Sequence, residues 1–205
     1  MYTPAAFAVD DLPTLHDFIH GHGFATLISQ GEEPVASHLP FLLDRQAASK
    51  GRLHSHMARA NPQWESADGS RVLVIFNGPH TYISPRWYAA ANVVPTWNYV
   101  AVHVTGTLRV LDNAEAVCRI VEETVARHEA DSPRPWQYSG DAEFFERLLQ
   151  MIVGFEIDID RIEGSWKLSQ NHPPERRERV MRGLRETGDP AADDIARLMQ
   201  ETLEA

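Results

Sequence analysis

Apolar positions recur along the chain with two different periods, and each change of period marks a change from strand to helix. Leu12, Leu15, Phe18 and Ile19 fall at helical spacing, with Asp10 or Asp11 placed to cap the helix and Gly21 and Gly23 to end it. Phe24–Ser29 and Val35–Leu43 are apolar runs separated by Gly31-Glu32-Glu33-Pro34, which predicts a hairpin-like connection. Arg52–Met57 and Arg71–Asn77 predict two further strands. Thr96–Leu111 is the clearest strand. Val100, Val102, Val104, Leu108 and Val110 share one of its faces, and Trp97, Tyr99, Ala101, His103 and Thr105 the other. Gly106 interrupts it where so long a strand would bend or bulge to close a barrel. Phe155–Ile162 also alternates, with Phe155, Ile157 and Ile159 inward and Glu156, Asp158 and Asp160 outward.

The remaining apolar stripes are helical. Val117, Ile120, Val121, Thr124, Val125 and His128 form one, and Phe144, Phe145, Leu148, Leu149 and Ile152 a second. After Pro173-Pro174 a third helix runs through Val180 and Leu184 as far as Gly188-Asp189-Pro190, and a last one carries Ile195, Leu198, Met199 and Leu203. Six or seven strands of antiparallel character with flanking helices predict an α+β fold built on a barrel. The expected division is a barrel domain at residues 1–170 and a C-terminal helical extension at 171–205, packed on the barrel.

Composition adds little to this picture. At 205 residues and 43% hydrophobic, the chain can bury a core without covalent staples and is not wholly disordered. Its single cysteine, Cys118, forbids an intrachain disulfide. The opening MYTPAAFAVDDLP lacks a basic n-region, and no apolar run is long enough to span a bilayer. The expectation is a cytoplasmic protein without a membrane partner.

Charge changes the picture more. Twenty-nine acidic residues against 19 Lys and Arg leave a formal net charge of −10, which argues against DNA as the default partner, because nucleic-acid binding relies on neutralising phosphates. The most basic stretch, Pro173–Thr187, sets Arg176, Arg177, Arg179, Arg182 and Arg185 against Glu175, Glu178 and Glu186. It nets only +2 and reads as a solvated amphipathic helix.

Three segments carry candidate chemistry. In Ala36–Phe41, Pro40 removes a backbone donor in mid-strand, which places Ser37 and His38 at an edge or bulge, near solvent or ligand alike. In Leu53–Trp64 a strand gives way to a helical turn around Asn61-Pro62, a junction where unpaired N–H groups can receive a phosphate. Ser55 offers a hydroxyl there and Arg59 a bidentate, permanently charged fork. His54 and His56, two residues apart, share a strand face and read equally as hydrogen-bonded structural residues. A zinc site from these and the other histidines is disfavoured, since no Cys or carboxylate stands among them at ligand spacing. In Gly164–Asn171, Lys167 and Ser169 share a face and Gln170 adds an amide. A flavin ring needs an apolar wall, donors to its ring nitrogens and carbonyls, and a cation near its pyrimidine end. Lys167, Gln170 and Trp97-Asn98-Tyr99 supply that inventory, though the same residues also read as a solvated strand end anchored by one Trp. No GxGxxG fingerprint, Ser-His-Asp order or Cys-His order is present, so no catalytic residue is assigned.

Read in order, MYTPAAF, ASHLPFLLD, HMARANPQW, VIFNGPHTYISPRWY, VPTWNYVAVHVTG and GFEIDIDRIEGSWKLSQN resemble the motifs of PaiB-type FMN-binding negative transcriptional regulators. The resemblance spans Met1 to about Leu184 and implies a split β-barrel related to pyridoxamine-phosphate oxidases and flavin reductases. It implies a homodimer with FMN at the subunit interface. Ser55, His56, Arg59 and Asn61, with His54 beside them, then fall in the segment that holds phosphate, and Ser37, His38 and Leu39 on the strand lining the ring. Trp97, Asn98, Tyr99, Lys167, Ser169 and Gln170 would come partly from the second subunit. The implied function is a flavin-linked sensor acting as a regulator, on DNA or through a protein partner. The alternative is an FMN-dependent reductase or oxidase of a small molecule.

Overall fold

The computed structural model of the chain describes residues 1–204, so only the last residue of the expected C-terminal extension lies outside the described residues. Its elements, in chain order, are β1 (Ala8–Val9), α1 (Leu12–Gly21), β2 (Phe24–Gln30), β3 (Pro34–Pro40), β4 (Leu42–Asp44), β5 (Arg52–Ala58), α2 (Gln63–Ala67), β6 (Arg71–Ile83), β7 (Thr96–Leu111), α3 (Ala114–Glu129), α4 (Ala142–Gln150), β8 (Ile152–Lys167), α5 (Pro174–Arg185) and α6 (Pro190–Glu204). A 3₁₀ turn precedes β1 and another, Pro85–Tyr88, precedes β7. The fold class is α+β, as expected. The sheet has eight strands rather than six or seven, in the order β3-β2-β6-β7-β8-β5-β4, with β1 added on β8.

The expected single run Val35–Leu43 is two strands. β3 pairs antiparallel with β2, Gln30 facing Pro34 across the hairpin, while β4 pairs antiparallel with β5. The break is physical. Pro40 has no N–H to extend the ladder, and Phe41 leaves it to donate its N–H to the Gly23 carbonyl at 2.7 Å. The Phe41 ring, 2% exposed, packs edge-on against Phe76 and Phe155 at 5.8 and 6.1 Å. The chain thus passes through one buried ring from one end of the strand order to the other, and the barrel stays split there.

Two compact units divide the chain, and neither is continuous in sequence. The central unit comprises Leu12–Phe76 and His103–Ile162, and the terminal unit Met1–Asp11, Asn77–Val102 and Glu163–Ala205. The C-terminal helices share a unit with Asn77–Val102 because they pack on it: Gly183 of α5 leaves only enough room for Trp87, whose ring would lie within 2.4–2.6 Å of an added Cβ, and Arg179 donates to the Tyr88 carbonyl at 3.2 Å. Its core is Ile83, Tyr88, Val100, Val102, Leu168, Val180, Leu184, Ile195 and Met199.

The core of the central unit gathers Leu27, Phe41, Leu53, Met57, Val74, Phe76, Val104, Leu108, Phe155 and Ile157. Gly106 serves close approach: an added Cβ would sit 2.1 Å from the Asp158 carbonyl oxygen of β8. The second helical stripe ends early, with α4 closing at Gln150 and Ile152 already the first residue of β8.

Candidate functional site

The expected site residues are shared between the two units, eight in the central one and six in the terminal one. In the central unit, the period of two along β5 puts Leu53, Ser55 and Met57 inside and His54 and His56 on the opposite face. Ser55 is 1% exposed and donates its hydroxyl to the Pro40 carbonyl at 2.6 Å, closing the β3–β5 corner. Arg59 is exposed, and its Nε and Nη2 donate to the carbonyls of Gln150 and Ile152 at 2.7 and 2.9 Å. Two of its five N–H groups steady the fork and leave the others available. Asn61 donates to the Ser37 hydroxyl at 2.8 Å while its Oδ1 accepts from the Gln63 amide at 3.0 Å. That amide is one of those the junction would otherwise have offered a ligand.

His38 is exposed, its Nδ1 3.0 Å from Thr26 Oγ1, and Leu39 is half-buried opposite Ala25. His54 lines a cavity of about 610 Å³ in which Arg52 is taken up by Glu156 and Asp158 at 2.9 and 2.7 Å. Burial, more than any neighbouring charge, holds His54 below the usual imidazole range. His56 is lowered by burial alone, and its Nδ1 is buried without a hydrogen-bond partner.

The terminal unit brings three expected residues, Asn98, Lys167 and Ser169, into one cavity of about 330 Å³. β7 delivers Thr96 and Asn98, the end of β8 delivers Lys167, and the turn after it Ser169 and His172. Asn98 is fully buried, its Nδ2 donating to Ser169 Oγ at 3.1 Å and its Oδ1 accepting from the same hydroxyl at 3.2 Å. Ser169 has φ 63°, a left-handed conformation costly for a residue with a side chain and found where surrounding contacts enforce it. Gln170 provides that enforcement. Its Oε1 accepts from the Leu168 amide at 2.8 Å and its Nε2 donates to the Trp166 carbonyl at 2.6 Å. Its amide clasps the turn.

Lys167 donates to Thr96 Oγ1 at 2.7 Å. Arg176, from α5, donates from Nη1 to His172 Nδ1 at 3.2 Å and lies over the Tyr88 ring at 5.8 Å, while its Nε is buried without a partner. Burial first, and the Arg176 charge second, hold His172 below the imidazole range, so it is neutral at pH 7 and can accept that bond. No Asp or Glu lines the cavity. Two cations, an orphaned guanidinium N–H and a set of hydroxyl and amide groups make a lining that matches an anionic or electron-rich, hydrogen-bonding ligand. Its volume, at the low end of the ~300–1,000 Å³ of ligand cavities, has room for one end of FMN.

Trp97 and Tyr99 stand apart from this lining. Trp97 is 54% exposed beside His80 and Tyr82, with ring centroids 6.4 and 6.1 Å away, and Tyr99 is half-buried. Sequence reasoning missed Tyr88, Thr96, His172 and Arg176. Their signal in the sequence is the i, i+4 spacing of His172 and Arg176, and Arg176 stands there as one member of a charge run. Among the described residues no three His, Cys, Asp or Glu side chains gather to hold a metal, and no helix is long and apolar enough to cross a membrane.

A family described as "Putative FMN-binding domain" matches residues 1–161. Protease synthase and sporulation protein PAI 2 of Bacillus subtilis (strain 168) is 34% identical over 207 residues, covering 99% of this chain and 98% of the relative. Among solved structures, the FAD and heme binding protein from Mycobacterium smegmatis shares the fold at TM-score 0.62 and 14% identity, over 83% of this chain and 78% of that one. The flavocytochrome Anf3 from Azotobacter vinelandii does so at TM-score 0.60 and 12% identity, over 78% and 69%. At such identities these two likenesses concern the fold alone. With its family match across most of the chain and a relative aligned nearly end to end, this chain belongs to the PaiB-type family of FMN-binding split-barrel proteins.

Proposed function

We propose that this protein is a PaiB-type regulator in which bound FMN is the signal. The observation that carries the flavin part is the terminal unit's cavity, with Lys167 and Arg176 and no carboxylate among the described residues of its lining. There Lys167 and Arg176 would meet the electron-rich pyrimidine edge of the ring, and the Asn98–Ser169 pair would supply exchangeable donors and acceptors beside it. Arg59, steadied by the carbonyls of Gln150 and Ile152, would use its remaining N–H groups on the phosphate, with the Lys167 cavity contributed by a second copy of the chain. When bound, FMN supplies two-electron redox chemistry and a visible chromophore. A homodimer would complete the site, since the cavity takes only one end of the cofactor. The relative's name, linking it to protease synthesis and sporulation, supports a regulatory rather than metabolic role.

The test is a visible-absorbance titration with FMN and with riboflavin, which lacks the phosphate. Lys167→Ala should weaken both ligands by about 1.5–3 kcal/mol, the size of a charge-assisted hydrogen bond, whereas Arg59→Ala should weaken FMN alone by a similar amount. Equal affinity of the wild type for the two ligands would remove Arg59 from the phosphate, and unchanged affinities in Lys167→Ala would remove the flavin ring from this cavity. Steady oxidation of a reduced nicotinamide by the FMN-loaded protein would move the reading from sensor to oxidoreductase.

A further inference from the structure

A second cavity, of about 750 Å³, lies in the central unit, walled by α3, α4 and the segment joining them. Its walls are mainly apolar, with Val121 and Val125 from α3 and Phe145 from α4. The joining segment adds Trp136 and Tyr138, and the three rings form a continuous series, centroids 6.3 Å apart from Trp136 to Tyr138 and 4.8 Å from Tyr138 to Phe145. The segment is tied down: the Trp136 amide donates to Glu129 Oε2 at 2.9 Å and the Tyr138 hydroxyl to the Asp141 carbonyl at 2.7 Å. Gly140 lies where an added Cβ would come within 2.6 Å of the Tyr138 hydroxyl, so this packing requires a residue without a side chain.

The charged groups on the lining are Glu122, Glu129 and Glu146, and no Lys, Arg or His joins them. None of the three forms an ion pair among the described residues. Lining charge of one sign beside aromatic faces is the arrangement that attracts an organic cation, since ring faces and carboxylates both favour positive charge. The same carboxylates repel anions, and an apolar floor of this size asks for a hydrocarbon part as well.

We propose that this groove binds a small amphiphilic organic cation, an alkyl- or arylammonium, with its apolar part against Val121, Val125 and Phe145 and its ammonium among Trp136 and the glutamates. The site is separate from the flavin reading and uses none of its residues.

Isothermal titration of the full-length, FMN-loaded protein tests it with three eight-carbon probes below their micelle concentrations: octyltrimethylammonium, octyl glucoside and octyl sulfate. The ammonium should bind at least about tenfold more tightly than the other two. Glu122→Gln combined with Glu146→Gln should bring it down to the level of the glucoside. Trp136→Ala, at a side chain 55% exposed in a tied-down segment, should weaken it about fivefold or more without unfolding the protein. FMN absorbance should stay the same in each variant, so a failure of the flavin reading would be seen separately. Equal binding of the three head groups would overturn the proposal, as would ammonium binding indifferent to Trp136→Ala. A fall in oligomer mass on Trp136→Ala would also overturn it, because the groove would then be a protein interface.

Discussion

His56 places a titratable ring where its Nδ1 is buried without a hydrogen-bond partner, and His54 and His172 are likewise pushed toward the neutral form chiefly by burial. The unfolded chain takes up protons on these rings near the ordinary histidine pKa of about 6.5, while the folded chain resists until a lower pH. Stability from this source is therefore present above about pH 6.5 and is lost as pH falls toward the lowered folded values. The thermal midpoint should drop between about pH 7.5 and about pH 5.5, above the range where most carboxylates titrate, and His56→Leu should flatten part of that slope. Calorimetry across the interval checks it, and a slope identical in His56→Leu would assign the acid sensitivity to other groups. The same strand shows how far single residues could be read. The two-residue period of β5 separates Ser55 on the inner face from His54 and His56 on the other. What no pattern could reveal is the partner that claims an inward hydroxyl, here the carbonyl of Pro40, fifteen residues away.

α5 illustrates the same limit for an element. Its position and ends were legible from Pro173-Pro174 and the Gly188-Asp189-Pro190 break. Its arginines look like one solvated basic face, yet three of the five turn toward the protein. Arg177 is 6% exposed and donates to the Met199 carbonyl at 3.0 Å and to Thr202, Arg179 reaches the Tyr88 carbonyl, and Arg176 enters the cavity. Arg182 and Arg185 remain exposed. A phosphate-binding stripe on this helix is accordingly weaker than its composition suggests, since phosphate contacts need several adjacent cations. At near-physiological salt, anisotropy with and without FMN should show binding no better than to random DNA, and sequence-specific binding at about 10⁻⁸ M or tighter would contradict this. Arg177→Ala should instead lower stability by about 1–3 kcal/mol in a denaturant titration, through lost charge-assisted bonds to α6.

For the whole molecule, both units leave large apolar side chains uncovered. In the central unit Phe24 is 70% exposed and β3 is open on both faces, Val35 included; in the terminal unit Trp97 and Tyr82 are 54% and 45% exposed. An edge strand with two open faces needs a cover to avoid uncontrolled pairing. The expected cover is a second copy of the chain, so light scattering at micromolar concentration should give twice the 23.1 kDa chain mass. Phe24→Asp should shift that mass toward the monomer, and a wild-type protein that is monomeric under these conditions would rule the dimer out.

The hydrophobic periods alone determined most of the strands, the five longer helices and the α+β class, because burial on one face writes itself into local spacing. The motif order determined the family and the flavin, since long collinear segments carry the same barrel and site. Tertiary structure decided three further things. β3 and β4 lie at opposite ends of the strand order because the ladder ends at Pro40 and Phe41 leaves it, which no local period records. The C-terminal helices belong with Asn77–Val102 because Gly183 admits the Trp87 ring across almost a hundred residues of chain. The two-cation cavity exists only where Lys167, Arg176 and Asn98 converge, and that convergence depends on packing between distant segments rather than on neighbours in sequence.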